Sequence, residues 1–483
     1  MSPDSSVSLV IFGGSGDLAH RKLLPALYNL HVDGLLPCVA VVGVGRSEMS
    51  DDRYREFAKD GIAHFSRRPI DEKVWATFAP QLHYTTADAT TGFASLGAKL
   101  DVIEHEGKLS GSRIYYLAIP PSLFEPTIQG LARARLVARG DQPFSRVIVE
   151  KPLGHDLESA CAINDAIAKV FDEKQIYRID HYLGKETVQN ILVLRFANSI
   201  FEPLLNQKYV DHVQITVAEE EGVGTRAGYY DHAGALRDMV QNHILQLLSV
   251  IGMEAPRSLE ADAVRDEKLQ VLLSLRAMDA STVDANTVRA QYGGYLGEKG
   301  VDPASRTETF VALQLFIDNW RWAGVPFFLR TGKRLPTRAS EIAVYLKDVP
   351  PILFNANPNA RLTPNVLSIR IQPDEGFSLE ISSKVPGPHV NVDPVKMDFH
   401  YGSRFGSASP EAYERLLLDV MVGDPTLFMR RDVVEAAWRW VMPILTRWES
   451  QTGTALPTYA AGTWGPAEAD ALVAASGRMW RVP

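Results

Sequence analysis

Short apolar runs at 9–12, 39–44, 114–118 and 146–149 punctuate the first part of the chain, with longer amphipathic stretches between them. Each run has the length and β-branched content of a buried strand. From near Gly16, Leu18, Leu23, Leu24, Leu27 and Leu30 recur at roughly helical spacing, and 51–65 reads as a second helix. Strands that alternate with helices in this way predict parallel βαβ units, hence a doubly wound α/β sheet.

Past about Tyr177 the texture changes. His212, Gln214 and Thr216 alternate with Val213, Ile215 and Val217, and Ser368, Arg370 and Gln372 with Leu367, Ile369 and Ile371. Period-two alternation predicts strands with one buried face. Phe377, Leu379 and Ile381 follow across Pro373-Asp374-Glu375-Gly376, which predicts an antiparallel hairpin, and Val395, Met397 and Phe399 repeat the pattern. Helices are expected from Pro410, after a Ser409 cap, to Val422 and over 432–441. The second part is therefore expected to be α+β, with a large, mainly antiparallel sheet. The boundary falls near 177–180 and divides the chain into 1–178, a dinucleotide-binding domain, and 179–483, a substrate-binding and oligomerisation domain.

Composition narrows the class. A chain of 483 residues, 46% hydrophobic and 22% charged, is globular and long enough for two cores. No apolar run approaches the roughly 18 residues a membrane span needs, and the first residues lack the basic and apolar regions of a signal peptide. The net charge of −8 argues against a broad nucleic-acid surface. Cys38 and Cys161 are far apart and have no ligand-spaced neighbours, so neither a disulfide framework nor a metal site is expected. A reducing, cytoplasmic setting fits.

Five stretches carry chemistry. Gly14-x-Gly16-x-x-Ala19 follows a strand and opens a helix, the context in which glycines let backbone approach a pyrophosphate; the alternative is a glycine-rich turn with no ligand. The next strand ends in Arg46-Ser47 and not in the acidic residue that would bind a ribose 2′-hydroxyl. A guanidinium there suits a 2′-phosphate, hence NADP over NAD, unless Arg46 is a solvated loop charge. Glu150-Lys151-Pro152-Leu153-Gly154 ends another strand at the sheet edge where such ligands bind, and Pro152 could hold a cis bond. Arg178 to Glu186 packs a guanidinium, an imidazole, an ammonium, two carboxylates and a phenol into nine residues. It reads either as a binding segment or as an interdomain crossover whose charges pair among themselves. If helical, it would put His181 and Lys185 on one face. A helix over 233–251 carries His243 beside its apolar positions, as a core histidine or as a catalyst.

Four motifs occur in one order: Gly-x-x-Gly-Asp-Leu at 13–18, Glu-Lys-Pro-x-Gly at 150–154, Arg-Ile-Asp-His-Tyr-Leu-Gly-Lys-Glu at 178–186 and Arg-Asp-Met-Val-Gln-Asn-His at 237–243. Arg-Trp-Ala-Gly-Val-Pro at 321–326, Leu-Arg-Thr-Gly-Lys-Arg-Leu at 329–335 and Gly-Thr-Trp-Gly-Pro at 462–466 follow. On these motifs the chain resembles the glucose-6-phosphate dehydrogenase family from end to end. The resemblance implies a Rossmann-type first domain, NADP as cofactor, glucose 6-phosphate as substrate, no metal, and a homodimer or homotetramer. It implies His243 as the base that takes the proton from the sugar C1 hydroxyl, with Asp180 as its partner. His181, Tyr182 and Lys185 match phosphate ligands, and Glu219 and Asp238 match carboxylates that hold sugar hydroxyls. Lys333 and Arg338 complete the substrate site, and Lys151 lies between coenzyme and substrate. Gly13, Gly14, Ser15, Gly16, Asp17 and Leu18 match the pyrophosphate turn, Arg46 the 2′-phosphate ligand, and Asp88 a further cofactor contact. His155 stands where the family commonly has Arg. A broader hexose or hexose-phosphate dehydrogenase and a non-catalytic NADPH sensor are the competing readings.

Overall fold

The structure is a computed structural model, and it describes residues 6–37, 39–88, 92–350, 352, 362–388, 391–405, 410–451, 453 and 455–483. Cys38 and Ser409, the expected cap, lie outside the described residues. Two compact units emerge: 1–184 with 258–265 and 410–435, and 185–257 with 266–409 and 436–483.

The first unit is built on a six-stranded parallel sheet of β1 (Val7–Phe12), β2 (Val39–Gly45), β3 (Leu82–Thr86), β4 (Arg113–Leu117), β5 (Ser145–Val149) and β6 (Ile176–Arg178), in the order β3-β2-β1-β4-β5-β6. The order reverses between β1 and β4, which makes their carboxyl ends the switch point of the sheet. β1 is buried throughout, as an apolar strand covered on both faces must be. The expected helix 51–65 is Asp51–Phe65, capped by Ser50, whose hydroxyl accepts the Arg53 N–H at 3.2 Å. The helix after the glycine turn starts later than expected, with wide turns over Ala19–Leu23 and α-helix over Leu24–Val32.

Residues from late in the chain complete this unit. Helix Ala412–Val422 starts two residues after the expected Pro410 and ends, as expected, at Gly423, which is left-handed at φ 87°. Its buried Glu414 accepts hydrogen bonds from Asn29 and Arg67, both at 2.9 Å. Arg178 is fully buried, where its guanidinium pairs with Glu173 at 2.6 Å and donates to Asn164 at 2.9 Å. The guanidinium of the nine-residue segment is thus part of the framework.

The second unit holds a nine-stranded sheet of β7 (Val210–Ala218), β8 (Thr287–Tyr292), β9 (Phe310–Phe316), β10 (Pro326–Gly332), β11 (Ala339–Leu346), β12 (Val366–Gln372), β13 (Gly376–Lys384), β14 (Val392–His400) and β15 (Thr458–Tyr459). Its order is β14-β13-β12-β11-β7-β10-β9-β8-β15. It is mostly antiparallel, with parallel pairs at β7–β10 and β8–β15. The expected hairpin is β12–β13, with Ser368 opposite Ser378.

The polar face of β7 is covered. His212, Gln214 and Thr216 are all buried: Tyr345 stacks on His212, Arg330 donates to Thr216, and the last residues of the chain bond Gln214. Arg478 forms a two-pronged ion pair with Asp211 at 2.8 Å, and Gln214 bonds the Met479 carbonyl and the Arg481 N–H, both at 2.8 Å. Arg330 is sandwiched between Trp464 and Trp480, its guanidinium 4.7 Å from each ring centre. Polar side chains satisfied in this way can be buried at little cost.

Among the described residues no helix is long and apolar enough to cross a membrane.

Candidate functional site

In a parallel sheet every strand ends at the same edge, and the first unit collects its candidates there. Gly13 to Leu18 follow β1, Arg46 follows β2, Asp88 follows β3, Lys151 follows β5, and Asp180, His181 and Tyr182 follow β6.

The glycine turn is held by the Gly13 and Gly14 N–H groups donating to the Val44 carbonyl at 2.9 and 3.0 Å, and by Gly16 N–H to Gly13 O at 2.8 Å. Gly13 is left-handed at φ 79°, and a Cβ there would lie 2.3 Å from the Ala118 carbonyl oxygen. A Cβ on Gly14 would lie 2.5 Å from the Gly43 Cα. Side chains are therefore excluded where β1, β2 and β4 end together. Gly16 and Asp17 are exposed, and so is Arg46, which follows the neighbouring strand β2. Asp88 forms an isolated bridge with Gly92 just past β3. A turn that admits no side chain at Gly13 and Gly14, a helix start and an exposed guanidinium fit a dinucleotide with a 2′-phosphate.

At the end of β5 the Lys151–Pro152 peptide is cis, as the proline allowed. Next to it the buried Glu150 carboxylate accepts the hydroxyls of Tyr116 at 2.6 Å and Tyr413 at 3.1 Å. Burial pushes its pKa up, although both phenols act against this. Nothing in the local sequence pointed to this cluster, because Tyr413 arrives from far along the chain.

After β6 the chain turns and does not form a helix. The Leu183 N–H donates to the Asp180 carbonyl at 3.0 Å, the Tyr182 N–H donates to the Asp180 carboxylate at 2.9 Å, and helix Glu186–Phe196 begins after Lys185. The helical condition under which His181 and Lys185 would share a face is not met: the Asp180 carboxylate captures the backbone N–H two residues on, closing a turn. His181 and Tyr182 stack obliquely, with ring centres 5.1 Å apart. Asp180 is 1% exposed.

The second unit gathers its candidates at one end of the large sheet. Glu219 follows β7 and Lys333 follows the parallel neighbour β10, so the two come together, with ammonium and carboxylate 2.6 Å apart. Arg338 precedes β11, and Gln372 ends β12 opposite Ser340. Lys185 and Arg338 both donate to the Gln372 side-chain oxygen, Arg338 at 3.3 Å. Two cations meeting at one neutral acceptor make a concentrated positive spot. In the sequence Gln372 is only a polar position on an alternating strand.

The histidine segment departs from the expected single α-helix over 233–251. Gly234 is left-handed at φ 72° and breaks it, and the carboxylate of buried Glu308 accepts the Leu236 N–H at 3.0 Å. From Leu236 to Ile244 the turns are of the wide π type before α-helix resumes over Leu245–Gly252. In an α-helix, residues five apart such as Asp238 and His243 would point about 140° apart. Wide turns bond i to i+5 and turn them toward one side. His243 is 1% and Asp238 7% exposed. Asp180 belongs to the first unit and His243 to the second.

Known proteins match along the whole chain. The glucose-6-phosphate dehydrogenase NAD-binding domain matches residues 10–190, and the glucose-6-phosphate dehydrogenase C-terminal domain matches residues 192–481. A glucose-6-phosphate 1-dehydrogenase of Rhizobium meliloti is 48% identical over 493 residues, covering 99% of this chain and 98% of that protein. One from Mycolicibacterium smegmatis is 48% identical, with 99% and 98% covered. The crystal structure of the Mycobacterium avium glucose-6-phosphate 1-dehydrogenase superposes with a TM-score of 0.85 at 39% identity, with 99% and 98% covered. A glucose-6-phosphate dehydrogenase in complex with glucose 6-phosphate superposes at 0.90 and 33% identity, over the same shares. Both domains, in order and nearly complete, are those of one family, and the chain belongs to the glucose-6-phosphate dehydrogenases.

Proposed function

We propose that this protein oxidises glucose 6-phosphate at C1 to 6-phosphoglucono-lactone with hydride transfer to NADP, the first step of the oxidative pentose phosphate pathway. The observation that carries this reading is the end of the large sheet. There Glu219 and Lys333 suit sugar hydroxyls, while Lys185 and Arg338 converge as a phosphate would require.

His243 takes the proton from the C1 hydroxyl, and Asp180 fixes its tautomer and stabilises the imidazolium. Asp238 holds a sugar hydroxyl, and His181 and Tyr182 join Lys185 on the phosphate. NADP, when bound, supplies the hydride acceptor. Gly13, Gly14, Ser15, Gly16, Asp17 and Leu18 would hold its pyrophosphate, Arg46 its 2′-phosphate, and Asp88 would add a further cofactor contact, with Lys151 between cofactor and substrate. The pair of His243 and Asp180 handles the proton with no metal.

The protein works in the cytoplasm as a homodimer or homotetramer. Support for assembly comes from β14, where Val395 and Met397 are 42% and 53% exposed on an edge strand.

His243→Asn tests the mechanism. The variant should fold and bind glucose 6-phosphate with near-normal affinity, while turnover falls by a factor of about 100 or more. Turnover near wild type would remove His243 from the reaction.

A further inference from the structure

Lys333 is clamped more thoroughly than a surface lysine. Its N–H donates to Thr309 O at 3.0 Å, and its carbonyl accepts the Tyr459 hydroxyl at 2.5 Å. The neighbouring Gly332 carbonyl accepts the Glu219 N–H at 3.0 Å. With the backbone fixed from both sides, only the side-chain torsions of Lys333 remain to be set. Two groups set them: the Glu219 carboxylate at 2.6 Å and the ring of Tyr230, whose centre lies 4.9 Å from the ammonium. Tyr230 is 3% exposed on helix Ala227–Ala235, just before the Gly234 break that leads to Asp238 and His243.

The two supports differ in kind. A carboxylate neutralises the ammonium and takes one of its three N–H donors. An aromatic face attracts the cation through its quadrupole while adding no formal charge and taking no full hydrogen bond. A ring beneath Lys333 thus steadies it and leaves donors for a hydroxyl. A second carboxylate would draw the ammonium away from any ligand.

We propose that Tyr230 is a positioning residue for the oxidation of the sugar phosphate: its ring, opposed by Glu219, fixes the point at which Lys333 meets the substrate. This rests on the reading of Lys333 as a substrate ligand. The ring also stays neutral. Burial and, after it, the charges of Asp238, Glu219 and Glu308 hold the Tyr230 phenol well above its usual pKa, so it never becomes a competing anion.

The test compares Tyr230→Phe and Tyr230→Leu, each with Lys333 and with Lys333→Ala, by KM and kcat for glucose 6-phosphate. Thermal unfolding and NADP binding are measured on every variant, and Tyr230→Met replaces Tyr230→Leu if the latter does not fold. Tyr230→Phe keeps the ring and should leave KM within about two-fold. Tyr230→Leu should raise KM about five- to thirty-fold with a much smaller change in kcat, and should add almost nothing once Lys333 is alanine. Equal effects of Tyr230→Leu with and without Lys333, or an unchanged KM beside a raised one in Lys333→Ala, would overturn the proposal. An unchanged KM in Lys333→Ala would instead remove Lys333 from the substrate site, and the role of Tyr230 with it.

Discussion

Replacing Gly13 by alanine should damage the glycine turn after β1 far more than replacing Gly16, although both belong to one motif. Gly13 sits at φ 79°, where an L-residue costs ~1–2 kcal/mol. Its new Cβ would also lie 2.3 Å from the Ala118 carbonyl oxygen, a backbone atom at the end of β4. Relieving that overlap means moving either the turn or the strand end, and forced overpacking of this kind costs ~1–3 kcal/mol. Together these give about 2–5 kcal/mol, a large share of the ~5–15 kcal/mol that holds a typical domain together. Gly16 has no left-handed backbone and is exposed, and the nearest atom to its Cβ is Gly13 O at 3.0 Å. Its alanine variant should lose no more than about 1 kcal/mol. Thermal unfolding of both variants, with KM for NADP at saturating sugar phosphate, reads the difference. Gly13→Ala should melt several degrees lower and raise KM for NADP by about ten-fold or more. Equal, small effects at the two positions would refute the view that Gly13 shapes the turn by excluding a side chain.

Arg46→Ala should lower the ratio of kcat/KM for NADP over NAD by about ten-fold or more, the worth of one charge-assisted contact to phosphate; an unchanged ratio would place the 2′-phosphate elsewhere. Asp211, held well below the usual carboxylate range by His212 and then Arg478, is charged in the folded protein where it would be protonated unfolded. Its depressed pKa contributes stability above the unfolded value of 3.8, and that stability is lost as pH falls from there toward the folded pKa. The melting deficit of Arg478→Ala against wild type should therefore be full at pH 7 and narrow below about pH 4; a gap that stays constant to pH 3 would show that the pairing with Asp211 does not anchor the tail.

Eight strands, β1, β2, β4, β5, β7 and β12 to β14, and the helix at 51–65 were legible because their signals are local: apolar runs and alternation. β3 and β6 were not, because Leu82–Thr86 is half polar and Ile176–Arg178 spans three residues, and β8 to β11 and β15 were not singled out either. The polar alternation of β7 described a strand correctly but not its environment, since Gln214 is bonded by residues more than 250 positions later and His212 is stacked on Tyr345 of β11. The wide turns at Leu236–Ile244 had no signature in spacing, because the residues there would also make an α-helix. Similarly, Lys185 and Arg338 meet at Gln372 only through the register of β11 and β12. The motifs named the participants, and long-range pairing decides how each set is assembled.

The central claim is most directly tested by the initial rate of NADP reduction with glucose 6-phosphate, run beside unphosphorylated glucose and beside NAD. Lys185 and Arg338 together should make kcat/KM for the phosphorylated sugar at least about 100-fold higher than for glucose, with NADP reduced more efficiently than NAD. Comparable turnover of glucose would contradict the phosphate reading of that cluster, and no reduction by protein that still binds NADP would contradict the assignment of the reaction itself.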